Sequence, residues 1–192
     1  MAYDREKHHR RSIRLRQFDY TSPKAYFVTL CTDDRRFTFG RVTKSEIHLS
    51  KIGRIVAEEW LRSPDVRPEI QLDEWIVMPN HLHGIVVITA SGSGHETLIP
   101  PITRPSRSLY RKPRSSSSFL GGLKATVTRR VNVFRGTPGA PVWQRNYYEH
   151  IIRDKRGLKD IRKYIIENPL NWDTDPLNPR GRPNEQTQPW DI

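Results

Sequence analysis

The stretch Trp75-Ile-Val-Met-Pro-Asn-His-Leu-His-Gly-Ile-Val-Val-Ile88 decides the fold, because it holds two strand-like apolar runs joined by a turn. Both runs are rich in Ile and Val, and Pro79-Asn80 between them is typical of a turn. The pattern predicts a β-hairpin through the middle of a sheet. Since side chains alternate across a strand, His81 and His83 point to one face of this sheet and Leu82 points to the other.

Two imidazoles on one face of a rigid strand can hold a divalent metal ion. Such a pair leaves the remaining coordination positions for another protein group and for substrate or water. The same pattern also suits two incidental or hydrogen-bonded histidines. The choice between these interpretations depends on what else in the chain meets His81 and His83.

Segments on both sides of the hairpin predict the rest of the sheet and its helices. The predicted order is a strand at 25–32, a helix capped by Ser50, strands at 70–78 and 81–88, a helix from Ser117 or Ser118, a strand entered at 142–152, and an added helix at 155–168 capped by Asp154. This is the βαββαβ order of a ferredoxin-like α+β sandwich with an antiparallel sheet. We expect the added C-terminal helix to lie across the open face or edge of the sheet, where His81 and His83 point. Residues 37–42 are expected to form a loop or a short strand.

The length of 192 residues suits one domain with arms. We predict a basic flexible arm at 1–22, a catalytic domain at 23–175 and a polar tail at 176–192, since little after Trp172 is apolar. A Ser/Pro/Arg-rich segment at 90–116 is predicted to be an extended loop.

The chain is strongly basic, with 33 Lys and Arg against 21 Asp and Glu and a formal net charge of +12. No acid lies between Glu96 and Glu149. Ten cations lie in that interval: Arg104, Arg107, Arg111, Lys112, Arg114, Lys124, Arg129, Arg130, Arg135 and Arg145. Because a solvated surface normally mixes both signs, this distribution favours a phosphate-binding surface and a nucleic-acid partner over the basic surface of a merely soluble protein.

Cys31 is the single cysteine, so an intrachain disulfide is impossible and a reducing compartment is indicated. Neither a secretory signal nor an apolar run long enough to cross a bilayer is present in the sequence. We expect a cytoplasmic protein, associated with the nucleoid and without a membrane partner.

Four segments together resemble the REP-associated tyrosine transposases, which are His-hydrophobe-His single-strand nucleases with one catalytic tyrosine. The segments are MPNHLHG at 78–84, KATVTRR at 124–130, VWQRNYYEHIIR at 142–153 and IRKYIIENP at 161–169. They occur in the family's order and span most of residues 23–172. The resemblance implies a ferredoxin-like fold, Mg²⁺ or Mn²⁺ as cofactor, and recognition of palindromic DNA hairpins with a flanking single strand.

The resemblance also implies roles for individual residues. His81 and His83 correspond to the metal-binding pair, Tyr164 to the nucleophile, and Asn168 to a third metal ligand. A phenol has a pKa of about 10, so it is a poor nucleophile at neutral pH unless a cation polarises the phosphate that it attacks. Attack would leave Tyr164 esterified to a 5′ phosphate, with a free 3′ hydroxyl that can reverse the reaction.

Further residues are candidates for supporting roles. Glu149 and His150 are candidates to orient the metal ligands from outside, although His150 suits a structural hydrogen bond equally well. The candidates for DNA backbone contacts are Arg10, Arg11, Lys124, Arg129, Arg130, Arg145 and Arg153.

Two alternatives to the transposase interpretation stay open from sequence. One is a binding protein of the same fold that grips structured DNA or RNA without catalysis. The other is a metal-assisted phosphodiesterase that uses water, in which Tyr164 only donates a hydrogen bond. Oligomeric state is equally open between a monomer and a homodimer.

Overall fold

Ten regular elements make up the fold in the computed structural model, which describes residues 24–89 and 115–182. In chain order they are β1 (Lys24–Cys31), β2 (Gly40–Thr43), β3 (Glu46–Leu49), α1 (Lys51–Leu61), α2 (Ser63–Val66), β4 (Ile70–Val77), β5 (His81–Ile88), α3 (Ser116–Arg135), β6 (Tyr148–Ile152) and α4 (Lys155–Glu167). Short 3₁₀ turns at Asp33–Arg35 and Trp172–Thr174 complete the described chain. The predicted arm with Arg10 and Arg11, and most of the predicted loop at 90–116, lie outside the described residues.

Four antiparallel strands form the central sheet in the order β4-β5-β1-β6. This order, with α1 and α3 as the two crossovers, confirms the predicted ferredoxin-like α+β fold. The strands β2 and β3 form a separate hairpin, so residues 40–49 are more regular than expected. Their turn uses Lys44 and Ser45 at positive φ, without a glycine that would have marked it in the sequence.

Side chains at the helix starts satisfy backbone donors that have no partner inside the helix. The Gly53 N–H donates to the Ser50 hydroxyl at 3.0 Å, and the Gly157 N–H donates to the Asp154 carboxylate at 2.8 Å. Both caps were predicted from sequence. The C-terminal end of α3 is set by Gly136, which adopts a left-handed conformation with φ of 65° and so ends the helix.

One face of the sheet packs against α1 and α3 and forms the main apolar core. Trp60 lies fully buried at its centre, against the backbone of Gly84 on β5. Any side chain at position 84 would overlap the Trp60 indole, so this glycine permits the close packing of α1 on the sheet. Arg130 on α3 also donates to Glu58 at 2.6 Å and Glu59 at 2.7 Å, which joins α3 to α1.

The opposite face of the sheet is covered by α4, as predicted. Its apolar contacts form a smaller cluster of Phe27, Ile85, Ile152, Ile161 and Ile165. At the edge, a bulge in β4 between Leu72 and Trp75 accompanies Asp73, which binds Arg162 of α4 through both carboxylate oxygens. These contacts fix α4 beside the histidine-bearing end of β5.

The prediction that the chain buries little after Trp172 is wrong for the residues that follow it. Trp172, Asp175 and Asn178 are all buried, and the segment 172–178 folds back onto the sheet. Its contacts begin with Trp172, whose ring lies 5.5 Å from that of Phe37. We call residues 172–178 the C-terminal strap.

Within the described residues, none of the helices combines the length and the hydropathy that a bilayer span requires.

Candidate active site

Strand alternation on β5 brings the two predicted histidines to one point on the α4 face of the sheet. His81 and His83 are 0% and 1% exposed, and their ring centroids lie 4.3 Å apart. Leu82 between them enters the main core on the other face. The site is therefore built on the middle of the sheet, where hydrogen bonds to both neighbouring strands hold the backbone.

Asn80 fixes the protonation pattern of His81. The Asn80 amide nitrogen donates to the carbonyls of Leu177 at 2.7 Å and Arg35 at 3.3 Å, which identifies its oxygen as the atom facing His81. That oxygen lies 2.8 Å from His81 Nδ1 and can only accept, so Nδ1 carries the proton. The unprotonated Nε2 of His81 therefore presents its lone pair to the site.

His83 stands between a threonine and the tyrosine of α4. Its Nδ1 hydrogen-bonds with the Thr29 hydroxyl at 2.8 Å, and its Nε2 lies 3.4 Å from the Tyr164 hydroxyl. Phe27 packs edge-on against the Tyr164 ring, with centroids 6.1 Å apart. The predicted nucleophile and the predicted metal pair thus meet in space, although 81 residues separate Tyr164 from His83 in the chain.

Asp175 of the C-terminal strap is the third titratable group of the site. One oxygen lies 3.9 Å from His81 Nε2, and the ligand atoms of His81, His83 and Asp175 all lie within 4.8 Å of one another. The backbone N–H of Leu177 donates to the other Asp175 oxygen at 2.6 Å. The three groups could hold a metal ion, and sequence reasoning missed Asp175 because it expected little burial after Trp172.

Asn168, the predicted third ligand, also lies in this group. It is 2% exposed at the end of α4, one turn after Tyr164, and its side chain affects the pKa values of His81, Tyr164 and Asp175. Its role as a ligand stays a prediction, with Asp175 now beside it.

Burial dominates the electrostatics of the site. It lowers the pKa of His81 to about 3, with a smaller opposing effect from Asn168, and it lowers the pKa of His83 well below its usual range. Burial also raises the pKa values of Tyr164 and Asp175. Each shift favours the uncharged form, because the surroundings solvate ions poorly.

The residues present fit a bound divalent cation. Three buried atoms, His81 Nε2, Asn168 Oδ1 and Asp175 Oδ2, lack a hydrogen-bond partner among the described residues. Unsatisfied buried polar atoms are costly, and a cation would satisfy all three. Imidazole nitrogens combined with carboxylate and amide oxygens are ordinary ligands of divalent metals.

The other candidate residues divide into those near the site and those away from it. His150 pairs with Phe27 and shares its face of the sheet, whereas Glu149 pairs with Val28, whose side chain is in the main core. Because neighbours on a strand point to opposite faces, Glu149 is directed to the face away from the histidines, and the supporting role predicted for His150 is the one that the strand geometry favours.

The predicted DNA-contacting cations also differ in their surroundings. Arg130 is engaged by Glu58 and Glu59, so its guanidinium joins α3 to α1. Lys124 donates to the backbone carbonyls of Gln144 at 2.6 Å and Arg145 at 3.2 Å. The residues Arg129, Arg145 and Arg153 are exposed.

This chain is similar in sequence to a known protein. It is 37% identical over 177 residues to an uncharacterized protein of Haemophilus influenzae, in an alignment that covers 91% of this chain and 96% of that protein. The two proteins belong to one family. The alignment thus covers nearly the whole length of both proteins. No protein-family model matches the chain.

A solved structure shows where this family stands among folds. The chain superposes on a REP-associated tyrosine transposase bound to a REP hairpin with a TM-score of 0.56, covering 83% of this chain and 74% of the other. Sequence identity in that comparison is 18%. The likeness establishes that the family has the fold of that transposase.

Proposed function

We propose that this protein is a metal-dependent transposase that cleaves and rejoins single-stranded DNA at palindromic hairpin elements. The observation that carries the proposal is the position of the Tyr164 hydroxyl, 3.4 Å from His83 Nε2 and beside the group formed by His81 and Asp175. A nucleophile and candidate metal ligands in one cavity are the parts that phosphodiester cleavage through a covalent intermediate requires. The proposed site of cleavage therefore lies on the α4 face of the sheet.

In the proposed reaction the Tyr164 oxygen attacks the scissile phosphorus. A bond forms between that oxygen and phosphorus, the bond to the 3′ oxygen breaks, and the phenol proton passes to the leaving oxygen by way of solvent. The products are a 5′-phosphotyrosine and a free 3′ hydroxyl. Since one phosphodiester replaces another, a 3′ hydroxyl can attack the phosphotyrosine and rejoin the DNA.

The chain supplies most of what this step needs. Phe27 and His83 hold the Tyr164 ring in place, and burial keeps the phenol protonated until the attack, because its pKa is raised. His81, His83 and Asp175, with Asn168 as a further ligand, would hold Mg²⁺ or Mn²⁺. When bound, such an ion polarises the phosphate and stabilises charge on its oxygens.

Hairpin DNA is proposed as the substrate on two grounds. The solved structure with this fold is of a transposase bound to a REP hairpin. The chain also has no acid between Glu96 and Glu149 and a formal net charge of +12, which suits a polyanion. The protein would act on chromosomal DNA in the cytoplasm, as a monomer or a homodimer.

The decisive test is whether Tyr164 becomes covalently attached to DNA. Wild-type protein, Mn²⁺ and a labelled hairpin oligonucleotide with single-stranded flanks should give a protein–DNA adduct on a denaturing gel. Tyr164→Phe should give none while binding the hairpin normally. Tyr148→Phe, which alters a second tyrosine of the same cavity, is the matched control and should keep the adduct. Metal-dependent cleavage without any adduct would instead indicate hydrolysis by water.

A second experiment separates the two candidate third ligands. Asp175→Asn and Asn168→Ala are compared for the Mn²⁺ concentration that gives half-maximal adduct. The ligand that contributes more binding energy is the one whose replacement raises this concentration more, by about 10- to 100-fold for loss of an important metal contact. Equal and unchanged midpoints in both variants would remove the strap and the end of α4 from the metal site.

A further inference from the structure

A groove between α3 and the loop that precedes β6 lies next to the candidate active site. Its volume is about 870 Å³. One wall is a face of α3 from Lys124 to the helix cap Gly136, and the other wall is formed by residues 138–145. The floor is largely apolar, with Pro141, Val142 and Trp143 on the loop side. Volumes of this size hold ligands comparable to a nucleotide.

Hydrogen bonds link the two walls near each end of the groove, which fixes the spacing between the walls. At one end Lys124 Nζ donates to the Gln144 carbonyl at 2.6 Å. At the other end the Asn132 amide donates to the Ala140 carbonyl at 2.9 Å, and the Thr137 N–H donates to the Asn132 carbonyl at 3.0 Å. The groove is thus formed before any ligand binds, which lowers the entropy lost on binding.

The charge of the groove favours an anion. Arg129 and Arg145 are exposed on its walls, and within the described part of the chain neither forms an ion pair and no acid lines the groove. Arg130, the next residue on α3, shows the contrast, since two glutamates of α1 engage it. Two guanidinium groups beside an apolar floor suit a chain of phosphates with attached bases.

The groove adjoins the cavity of Tyr164, because the two share a lining residue. Gln144 lines both the groove and the smaller cavity, of about 250 Å³, that contains Tyr164 and His83. The Gln144 N–H donates to the Cys31 carbonyl at 2.9 Å, at the end of β1, where Cys31 pairs with His81. A strand that leaves the Tyr164 cavity past Gln144 would enter the groove directly.

We propose that this groove binds the unpaired nucleotides that adjoin the scissile phosphate, with phosphates at Arg129 and Arg145 and bases or sugars against the apolar floor. The proposal rests on the proposed function, because the shared residue Gln144 places the groove beside Tyr164 and so indicates which strand occupies it. A floor of this kind stacks on any base, so the groove contributes affinity for unpaired DNA and little sequence preference.

The test measures binding of a fluorescein-labelled oligothymidylate by anisotropy over a range of salt concentrations. Arg129→Glu/Arg145→Glu should weaken binding about tenfold and reduce the salt slope by about 1.4, at about 0.7 for each phosphate contact on single strands. Arg41→Glu/Arg54→Glu makes the same change in net charge at exposed positions that do not line the groove, and should change affinity less than about twofold. Equal losses in both double variants would overturn the proposal.

A groove-filling variant tests the floor without changing charge. Ala125 lies on the exposed α3 wall, and Ala125→Trp should weaken oligothymidylate binding severalfold while leaving a blunt duplex of the same length unaffected. Wild-type affinity for the single strand in this variant would exclude the groove as its binding site. Circular dichroism establishes that each variant is folded before it is compared.

These assays report on the groove separately from cleavage. If wild-type protein forms the Tyr164 adduct but the groove variants bind unpaired DNA normally, the groove proposal fails and the proposed function stands. If the variants lose single-strand affinity but no DNA gives an adduct, the groove still binds unpaired nucleic acid and the catalytic proposal fails.

Discussion

The two faces of the central sheet differ in what they bury. Towards α1 and α3, the strands β1 and β5 present Tyr26, Val28, Leu82 and Val86, which pack around Trp60. Towards α4, the same two strands present Thr29, His81 and His83. One face is thus filled with apolar side chains, while the other combines a smaller apolar cluster with buried polar groups. Because successive residues of one strand point to opposite faces of the sheet, residues of the main core and residues of the candidate site are neighbours in sequence.

This separation predicts that equivalent damage on the two faces has unequal consequences. Trp60→Ala should lower the free energy of unfolding by about 3 to 5 kcal/mol, because it opens a cavity in the main core. Tyr164→Phe should change it by less than about 1 kcal/mol, since it removes one hydroxyl with a long hydrogen bond. Urea unfolding measures both values, and a similar loss in the two variants would contradict the comparison.

Acid should destabilise the protein through the buried histidines on the α4 face of the sheet. The pKa of His81 is about 3 in the folded protein and about 6.5 when unfolded, so the unfolded chain binds more protons between these values. Stability is therefore retained above about pH 6.5 and lost below it, by about 1.4 kcal/mol per pH unit for each buried imidazole. The lowered pKa of His83 acts in the same direction. Asp175 has the opposite effect on stability in the pH range between its unfolded pKa and its raised pKa in the folded protein.

The measurement is urea unfolding in a chelator at several pH values between about 7 and 5. His81→Gln/His83→Gln should flatten the dependence, because neither replacement titrates. A slope as steep in this variant as in wild type would place the acid sensitivity elsewhere.

A metal ion should reverse the cost of burying these groups. At about ten times its dissociation constant, Mn²⁺ should stabilise the folded protein by about 1.4 kcal/mol if it binds only that state. Differential scanning calorimetry should show the rise in wild type and in Trp60→Phe, whose change is on the other face. The rise should be absent in His81→Gln, and its persistence there would argue against a site at the paired histidines.

The smallest effect on stability is expected at the edge of α4. Arg162 and Asp73 form an exposed pair, and exposed pairs contribute less than about 1 kcal/mol. Arg162→Met should nevertheless slow adduct formation at saturating DNA by about tenfold, because small displacements of a nucleophile are costly. The dissociation constant for the hairpin should not change.

Lys163→Met is the control for this effect, since Lys163 forms its ion pair within α4, with Glu167 at 3.9 Å. An equal slowing in both variants would show that α4 charge, and not its attachment to β4, governs the rate.

Local patterns made much of the fold predictable from sequence. These patterns depend only on residues that are close in sequence. They are the alternating apolar residues of β5, the helix caps Ser50 and Asp154, and the apolar stripe of α4. They were sufficient to predict the order of elements and the side of the sheet on which His81 and His83 lie. The β2–β3 hairpin was not recognised, because its turn residues carry no characteristic sequence signal.

The parts of the site that could not be predicted depend on distant contacts. Asp175 reaches the histidines only because Asn80 and Arg35 bind the carbonyls of the C-terminal strap, and neither contact leaves a local pattern. Arg130 is likewise engaged by glutamates 71 and 72 residues away. The opposite directions of Glu149 and His150 could have been predicted, because neighbouring residues of one strand point to different faces of the sheet.

The amide of Asn80 has a consequence for how the site takes up metal. By holding the proton of His81 on Nδ1, it leaves the coordinating nitrogen already bare, and the low pKa of that imidazole keeps it so at neutral pH. Loading the site then displaces no hydrogen ion from His81. Any acid released into an unbuffered solution as metal is added must come from a group other than His81, and Asp175, whose pKa burial raises, is the protein ligand to consider.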